Sequence, residues 1–137
     1  MAEATRVLVP GTASGPVVVL DEPLSFWGGF DPATGRLVDT HHPQVGAALG
    51  GCVLVMPAGR GSSSSSYVLA EAVRVGTAPV AVVLGESDPI VALGAIVAEE
   101  LYGVGLPVVV ATAPALVTGP RVTVRADADG TVELADG

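Results

Sequence analysis

A glycine-rich turn followed by five serines is the stretch of this sequence whose residue types could do chemistry. Residues 58–67 read AGRGSSSSSY, so Arg60 stands between two glycines and five serines follow at 62–66. Glycine lets a ligand approach the backbone closely, and serine hydroxyls with free N–H groups at the start of a helix bind anions. The stretch therefore predicts a small-anion site. A helix N-cap with redundant serines and a disordered tether are the alternatives.

The elements on either side of the turn favour an ordered site. The apolar run GCVLVMP at 51–57 predicts a buried strand. Residues 64–75 predict a helix with a serine as N-cap and with Leu69, Ala72 and Val73 facing inward. A turn between a parallel strand and its helix lies at the carboxyl edge of the sheet, where open α/β folds bind ligands.

The rest of the chain predicts one α/β domain over residues 1–137. Further strands are expected at 78–85 and 106–111, and a second helix at 88–101, opened by Asp88 as cap and Pro89. Two strands at 6–10 and 16–20 are expected to be split by a turn at 11–15, and residues 121–134 to form a hairpin turned at Asp129–Gly130. The strand–helix alternation implies a mostly parallel central sheet with crossover helices and flanking antiparallel strands.

Composition and charge exclude several function classes. The 137 residues carry a formal net charge of −8, and all six basic residues are arginine. An acidic chain without lysine is a poor candidate for binding nucleic acid or an anionic membrane, and it has neither a phosphate-loop lysine nor a Schiff-base lysine. Because no apolar stretch approaches ~20 residues and the N-terminus lacks a signal-peptide core, we expect a cytoplasmic protein.

The single cysteine limits what this chain can bind. Cys52 stands at the head of an apolar run, which is typical of a small buried strand residue. One thiol cannot form a disulfide within the chain, and it cannot build a cysteine-ligated cluster or zinc site alone. No metal site is therefore expected in this chain.

A long loop at 22–46 holds the only tryptophan, both phenylalanines and both histidines. Loops of this length inside compact domains are usually functional. Trp27 and Phe26 beside two glycines favour a subunit contact or a pocket lining over simple core. His41 and His42 fit either a general acid or a hydrogen-bonded loop histidine, whereas Asp31 and Asp39 are most simply turn-forming aspartates.

The motifs SFWGG, HP and GRGSS, in this order and spacing, resemble the swivel-domain small subunit of the aconitase X family over about residues 7–110. That family includes archaeal phosphomevalonate dehydratase and bacterial 3-hydroxyproline dehydratases. The resemblance implies a swivelling β/β/α domain that closes over a substrate. It also implies a hydro-lyase active only as a heterodimer or higher assembly, with a large subunit that carries an iron–sulfur cluster. The substrate would be a small hydroxy acid, either mevalonate 5-phosphate or cis-3-hydroxyproline.

The resemblance also assigns roles to residues of the turn and the loop. It makes Ser62 the base and implies substrate binding by Arg60, Gly61, Ser63, Ser64 and His42. It implies a subunit contact or pocket lining by Ser25, Phe26, Trp27, Gly28, Gly29 and Asp31. Ser64 stands where true aconitases carry an arginine, so Arg60 or the partner must supply the positive charge. Ser65 and Ser66 are expected within the first helical turn and should tolerate alanine.

These residues supply only half of the active site that dehydration of a hydroxy acid needs. A serine is a weak base unless its alkoxide is stabilised, which a helix N-terminus, neighbouring N–H groups and Arg60 can provide in a dry site. The leaving hydroxyl needs a Lewis acid, and a chain with one thiol must obtain that metal from elsewhere. A stand-alone anion-binding module and a purely structural partner remain the alternatives.

Overall fold

The computed structural model describes residues 5–60, 63–112 and 115–136. The strands in these ranges are β1 (Thr5–Val9), β2 (Gly11–Val19), β3 (Phe30–Asp31), β4 (Arg36–Leu37), β5 (Val53–Met56), β6 (Ala81–Leu84), β7 (Val108–Ala111), β8 (Arg121–Ala126) and β9 (Val132–Asp136). The helices are α1 (Phe26–Gly29), α2 (Ser65–Val75) and α3 (Pro89–Tyr102). None of these helices is long and apolar enough to cross a membrane.

The main sheet has seven strands in the order β1-β7-β6-β5-β2-β8-β9. Its centre, β7-β6-β5-β2, is parallel, whereas β1 and the β8–β9 hairpin pair antiparallel at its two sides. Helices α2 and α3 make the crossovers from β5 to β6 and from β6 to β7. The α/β fold predicted from the sequence is therefore confirmed, and β3–β4 forms a separate small hairpin.

Each face of the sheet carries its own hydrophobic core. The helix-facing core contains Leu54, Leu84 and Leu69, and the opposite core contains Val53, Val83 and Val124. Neighbouring residues of one strand point to opposite faces, so the apolar runs of the central strands bury both sides. The sheet curls until β1 contacts β9, which encloses the second core in two β layers.

The turn expected at residues 11–15 is wrong, because these residues form the first half of β2. They pair with β8 from Gly11 opposite Ala126 to Pro16 opposite Arg121. Glycine at 15 is a packing requirement, since a Cβ there would overlap the carbonyl oxygen of Gly51. Glycine and small polar residues thus mark a close approach of two backbones here, rather than a turn.

The helix boundaries follow the sequence, with one difference at the serine run. Asp88 caps α3, because its Oδ1 accepts the N–H groups of Ile90 at 2.8 Å and Val91 at 3.2 Å, as predicted. The inward-facing residues predicted for α2 are buried. Ser64 precedes α2 with helical φ and ψ of −64° and −16°, not the extended backbone typical of an N-cap.

The C-terminal hairpin turns where the sequence predicts. The N–H of Thr131 donates to Asp129 at 2.9 Å, and Gly130 takes a φ of +97°. Residues of the β8–β9 hairpin pack in the core on the far side of the sheet from α2 and α3.

Candidate functional site at the carboxyl edge of the parallel strands

The turn after β5 lies at the carboxyl edge of the parallel sheet, as expected. Gly59 forms an isolated parallel bridge with Leu24 and packs directly on the carboxylate of Asp88, where a Cβ would overlap Oδ2. Arg60 follows it in an exposed position and forms no salt bridge with any other described residue. Gly61 and Ser62, the predicted base and the glycine before it, lie outside the described residues.

The start of the turn is fixed by close contacts at two glycines, Gly85 and Gly59. A Cβ on Gly85, at the end of β6, would lie 2.6 Å from the carbonyl oxygen of Pro57, at the end of β5. Real Cβ contacts of that length do not occur, so the two strand exits meet only because residue 85 is glycine. With Gly59 against Asp88, this contact places the first residues of the turn beside the start of α3.

On the other side of the turn the chain enters α2 through the remaining serines. Ser63 is exposed and Ser64 is half-buried. Ser66 Oγ donates to the carbonyl of Ser63 at 2.8 Å, which ties the turn to the first turn of the helix. These hydroxyls stand at the positive end of an 11-residue helix, where an anion is stabilised.

Ser65 lies in the first turn of α2 as expected, but it has contacts within the chain that alanine would remove. Ser65 is only 4% exposed. Its Oγ accepts the backbone N–H of Trp27 at 3.1 Å and lies 3.4 Å from Ser25 Oγ. Ser25 Oγ in turn donates to the carbonyl of Trp27 at 2.9 Å. The SFWGG loop is therefore held against the start of α2.

The two aromatic residues of the SFWGG loop occupy opposite environments. Trp27 is 58% exposed, and Tyr67, in the first turn of α2, is 80% exposed. Phe26 is 1% exposed and meets Phe30 edge-to-face, with ring centroids 5.4 Å apart. The expectation that Phe26 lines a pocket or a subunit contact is corrected, because its side chain belongs to the core.

The glycines of the loop supply backbone geometry. Gly28 is exposed and takes a φ of +84°, which favours glycine. Gly29 is buried, its N–H donates to the carbonyl of Ser25 at 3.1 Å, and a Cβ on it would lie 3.0 Å from Leu24. Both residues shape the loop that presents Trp27.

Asp31 does not join the other predicted site residues. Its carboxylate accepts the N–H of Ala33 at 2.9 Å and the hydroxyl of Thr34 at 3.1 Å, so it stabilises the β3–β4 turn. That hairpin contacts the chain just beyond the C-terminal end of α2, where Thr77 Oγ1 donates to the carbonyl of Pro32 at 2.6 Å. The serine turn is at the other end of the helix, so Asp31 is a turn-forming aspartate and not a residue of the pocket.

His42 is a hydrogen-bonded loop histidine, and the expectation that it binds substrate is corrected. It is 4% exposed, and both ring nitrogens are used within the chain. Nδ1 accepts the N–H of Gln44 at 3.0 Å, so Nε2 carries the hydrogen and donates to the carbonyl of Glu22 at 3.1 Å. His41 is exposed, and its backbone N–H donates to Asp39 at 2.9 Å.

Gln44 supports the site, and sequence reasoning missed it. Its amide donates to the carbonyl of Val19 at 2.6 Å and accepts the N–H of Asp21 at 2.8 Å. With His42 it fixes the segment that runs from the end of β2 towards Leu24. A single glutamine in an aperiodic loop gives no sequence signal for such a role.

The residues of this chain do not fit an iron–sulfur cluster. Cys52 is buried, and burial raises its pKa to about 12, so the thiol stays protonated and is a poor metal ligand. Within the three described ranges, no group of three His, Cys, Asp or Glu side chains is placed to hold a metal ion. The site offers instead an arginine, serine hydroxyls and a helix N-terminus, which can bind and orient a small anion.

Comparisons with known proteins agree on one family. Residues 3–134 match the family model described as the aconitase X swivel domain. The chain is 52% identical over 103 residues to a cis-3-hydroxy-L-proline dehydratase of Pseudomonas aeruginosa, covering 75% of this chain and 18% of that protein. It is 41% identical over 133 residues to a phosphomevalonate dehydratase small subunit of Thermococcus gammatolerans, covering 96% of each.

A solved structure gives the same result for the fold. The crystal structure of Thermococcus kodakaraensis aconitase X in its holo-form superimposes with a TM-score of 0.82 at 37% identity, covering 98% of this chain and all of that one. The chain spans about a fifth of the length of the hydroxyproline dehydratases it matches, but nearly all of the Thermococcus small subunit.

Proposed function

The chain belongs to the aconitase X swivel-domain family, and we propose that it is the small subunit of a hydro-lyase that dehydrates a small hydroxy acid. The observation that carries the proposal is the position of the serine turn. It lies at the carboxyl edge of the parallel sheet, between an exposed arginine and the N-terminus of α2. A carboxylate or phosphate of the substrate would bind there.

Within that site, this chain binds the anion and moves a proton. Ser62 takes the carbon-bound proton, and Arg60 with the start of α2 stabilises the negative charge on the serine oxygen. Ser63 and Ser64 donate hydroxyl hydrogens to the substrate. Arg60 is the described cation nearest to the turn in sequence, so it supplies the positive charge that true aconitases draw from an arginine at the position of Ser64.

The partner is a large subunit that carries the iron–sulfur cluster. This inference is supported by the lone, buried and protonated Cys52, which leaves this chain without cluster ligands. It is also supported by the Pseudomonas relative, in which the matching segment is 18% of a longer polypeptide. Trp27 and Tyr67, exposed beside the start of α2, are the aromatic contacts we assign to that subunit.

The test is reconstitution. The chain is co-expressed with the product of a neighbouring reading frame that encodes a larger protein with three cysteines placed for a cluster. The complex is then assayed anaerobically on mevalonate 5-phosphate and on cis-3-hydroxy-L-proline. We expect dehydration of one of the two by the complex and by neither chain alone. Dehydration by the isolated small chain would contradict the proposal.

The base is tested by a matched pair of variants in the complex. Ser62→Ala should lower kcat by about 10²-fold or more with little change in KM, the range expected for lost acid–base catalysis. Ser66→Ala is the control, because that hydroxyl donates only within its own helical turn. Equal activity of the two variants would remove Ser62 from this role.

A further inference from the structure

The hydrogen bonds between the SFWGG loop and α2 form a closed ring of three residues. Trp27 donates its N–H to Ser65 Oγ, and Ser25 Oγ donates to the Trp27 carbonyl. A serine hydroxyl has one hydrogen, and that of Ser25 is already used. The 3.4 Å contact between the two hydroxyls must therefore have Ser65 as donor and Ser25 as acceptor.

This ring holds the non-helical backbone at the exposed tip of the loop. Trp27 has φ −81° and ψ 109°, which breaks the helical turn of α1, and Gly28 follows with φ +84°. A Cβ on Gly28 would meet nothing within 4 Å, so no other residue packs against that side of Gly28. The two hydrogen bonds of the Trp27 backbone thus fix the position of the residue from which the exposed indole extends.

The same loop is tied to the chain on both sides of the serine turn. Before the turn, Leu24 bridges to Gly59, and after it, Ser65 bonds to Trp27 and Ser25. A shift of α2 relative to β5 would therefore have to break one of these ties. The loop is thus tied to Gly59 and to Ser65, two described residues that flank the serine turn.

We propose that Ser65 is a positioning residue, whose hydroxyl clamps the SFWGG loop to the start of α2 and so fixes the backbone that carries the exposed Trp27 side chain. Its effect on turnover rests on the function proposed above, but the clamp itself does not. Ser65 thus has a different task from the other serines of the run: it acts through the Trp27 backbone and does not touch the substrate.

The clamp is tested first in the full chain by amide hydrogen exchange at the Trp27 N–H. Ser65→Ala removes the acceptor, and we expect exchange at Trp27 to accelerate about tenfold, the factor for the loss of one hydrogen bond. Ser66→Ala is the matched control and should leave that amide unchanged. Fluorescence anisotropy of Trp27, the only tryptophan, should fall in Ser65→Ala alone. Unchanged exchange in Ser65→Ala would overturn the proposal.

Ser25→Ala gives a second test that keeps Ser65 in place, and it serves if Ser65→Ala does not fold. It frees the Trp27 carbonyl but leaves the Trp27 N–H bonded, so exchange should accelerate less than in Ser65→Ala. Because the ring acts as a unit, the double variant should exchange no faster at Trp27 than Ser65→Ala. If the accelerations of Trp27 exchange in the two single variants multiply in the double variant, the two hydrogen bonds are independent, and the proposed ring is refuted.

The catalytic consequence is measured in the reconstituted complex. A loop that is no longer preformed weakens binding, so Ser65→Ala should raise KM about tenfold and lower kcat less than Ser62→Ala does. An unchanged KM in a variant whose Trp27 amide has lost protection would show that Ser65 serves stability alone, and it would refute the positioning role. If the complex dehydrates neither substrate, the proposed function fails, and the exchange data still decide the clamp.

Discussion

Gly59→Ala should destabilise the chain because it places a methyl group where the Asp88 carboxylate lies. The φ of Gly59 is one that any residue can adopt, so alanine there causes no backbone strain. The destabilisation comes from the steric overlap alone. Asp88 cannot turn aside freely, since its Oδ1 accepts two N–H groups of α3. Losing this cap costs about 1 kcal/mol, and an off-rotamer carboxylate adds about 1 kcal/mol. We expect a total loss of about 2 kcal/mol.

The double variant tests the stated cause. Asp88→Gly removes the obstacle and costs only a few tenths of a kcal/mol at an N-cap. Gly59→Ala added to Asp88→Gly should therefore cost almost nothing, which gives a coupling energy of about 2 kcal/mol. Gly105→Ala is the matched control, because the nearest neighbour its Cβ would meet is Glu99 Oε2 at 3.9 Å.

Urea unfolding followed by circular dichroism measures these free energies, since a chain of this length is expected to unfold in one step. Two results would refute the reasoning. One is a Gly59→Ala variant within about 0.5 kcal/mol of the parent, the usual range for harmless surface changes. The other is a double variant as unstable as Gly59→Ala alone.

Three further predictions follow from single residues. Cys52, whose pKa burial raises to about 12, should resist a thiol reagent at pH 8 until the chain is denatured, and rapid labelling of the folded chain would contradict its burial. His42→Ala should cost about 2 kcal/mol in urea unfolding for two lost hydrogen bonds, yet leave kcat of the complex within about tenfold. A far larger fall in kcat would contradict this and would support a role for His42 in binding the substrate. The pKa of Asp129 is lowered from 3.8, chiefly by the backbone hydrogen bond from Thr131. The ionised carboxylate therefore stabilises the folded chain above pH 3.8, and this stabilisation is lost as the pH falls through the lowered pKa. Asp129→Asn should therefore lower the urea midpoint slightly at pH 7 and less at pH 3, which weakens the drop in urea midpoint between the two pH values.

The sequence predicts the parallel centre of the fold well because its signals there are local. Asp88 followed by Pro89 predicts the start of α3. Each central strand is a short apolar run, which is typical of a buried strand. The first half of β2 has the opposite composition. Its glycines and small polar residues fit a turn, and only the approach of Gly51, far along the chain, explains why Gly15 lies in a strand.

The site is predicted less completely, because the sequence cannot distinguish the roles of identical serines in one run. Ser65 is distinguished from Ser66 by its contacts with Ser25 and Trp27, which lie 40 and 38 residues earlier in the chain. Phe26 and Trp27 are neighbours with the same hydrophobic character, and the non-helical backbone of α1 sends one into the core and the other to the surface. Composition could place both near the site but could not separate them.

The antiparallel sides of the sheet bear on how the chain folds during synthesis. The strands and crossover helices from β5 to β7 are contiguous, so their contacts can form while that stretch leaves the ribosome. In the sheet β1 pairs with β7, beginning with Thr5 opposite Ala111, about a hundred residues later. At about 5–20 residues per second, β1 waits roughly 5–20 s for this strand. We therefore expect the contiguous unit to fold first and β1 to join it as a slow, late step.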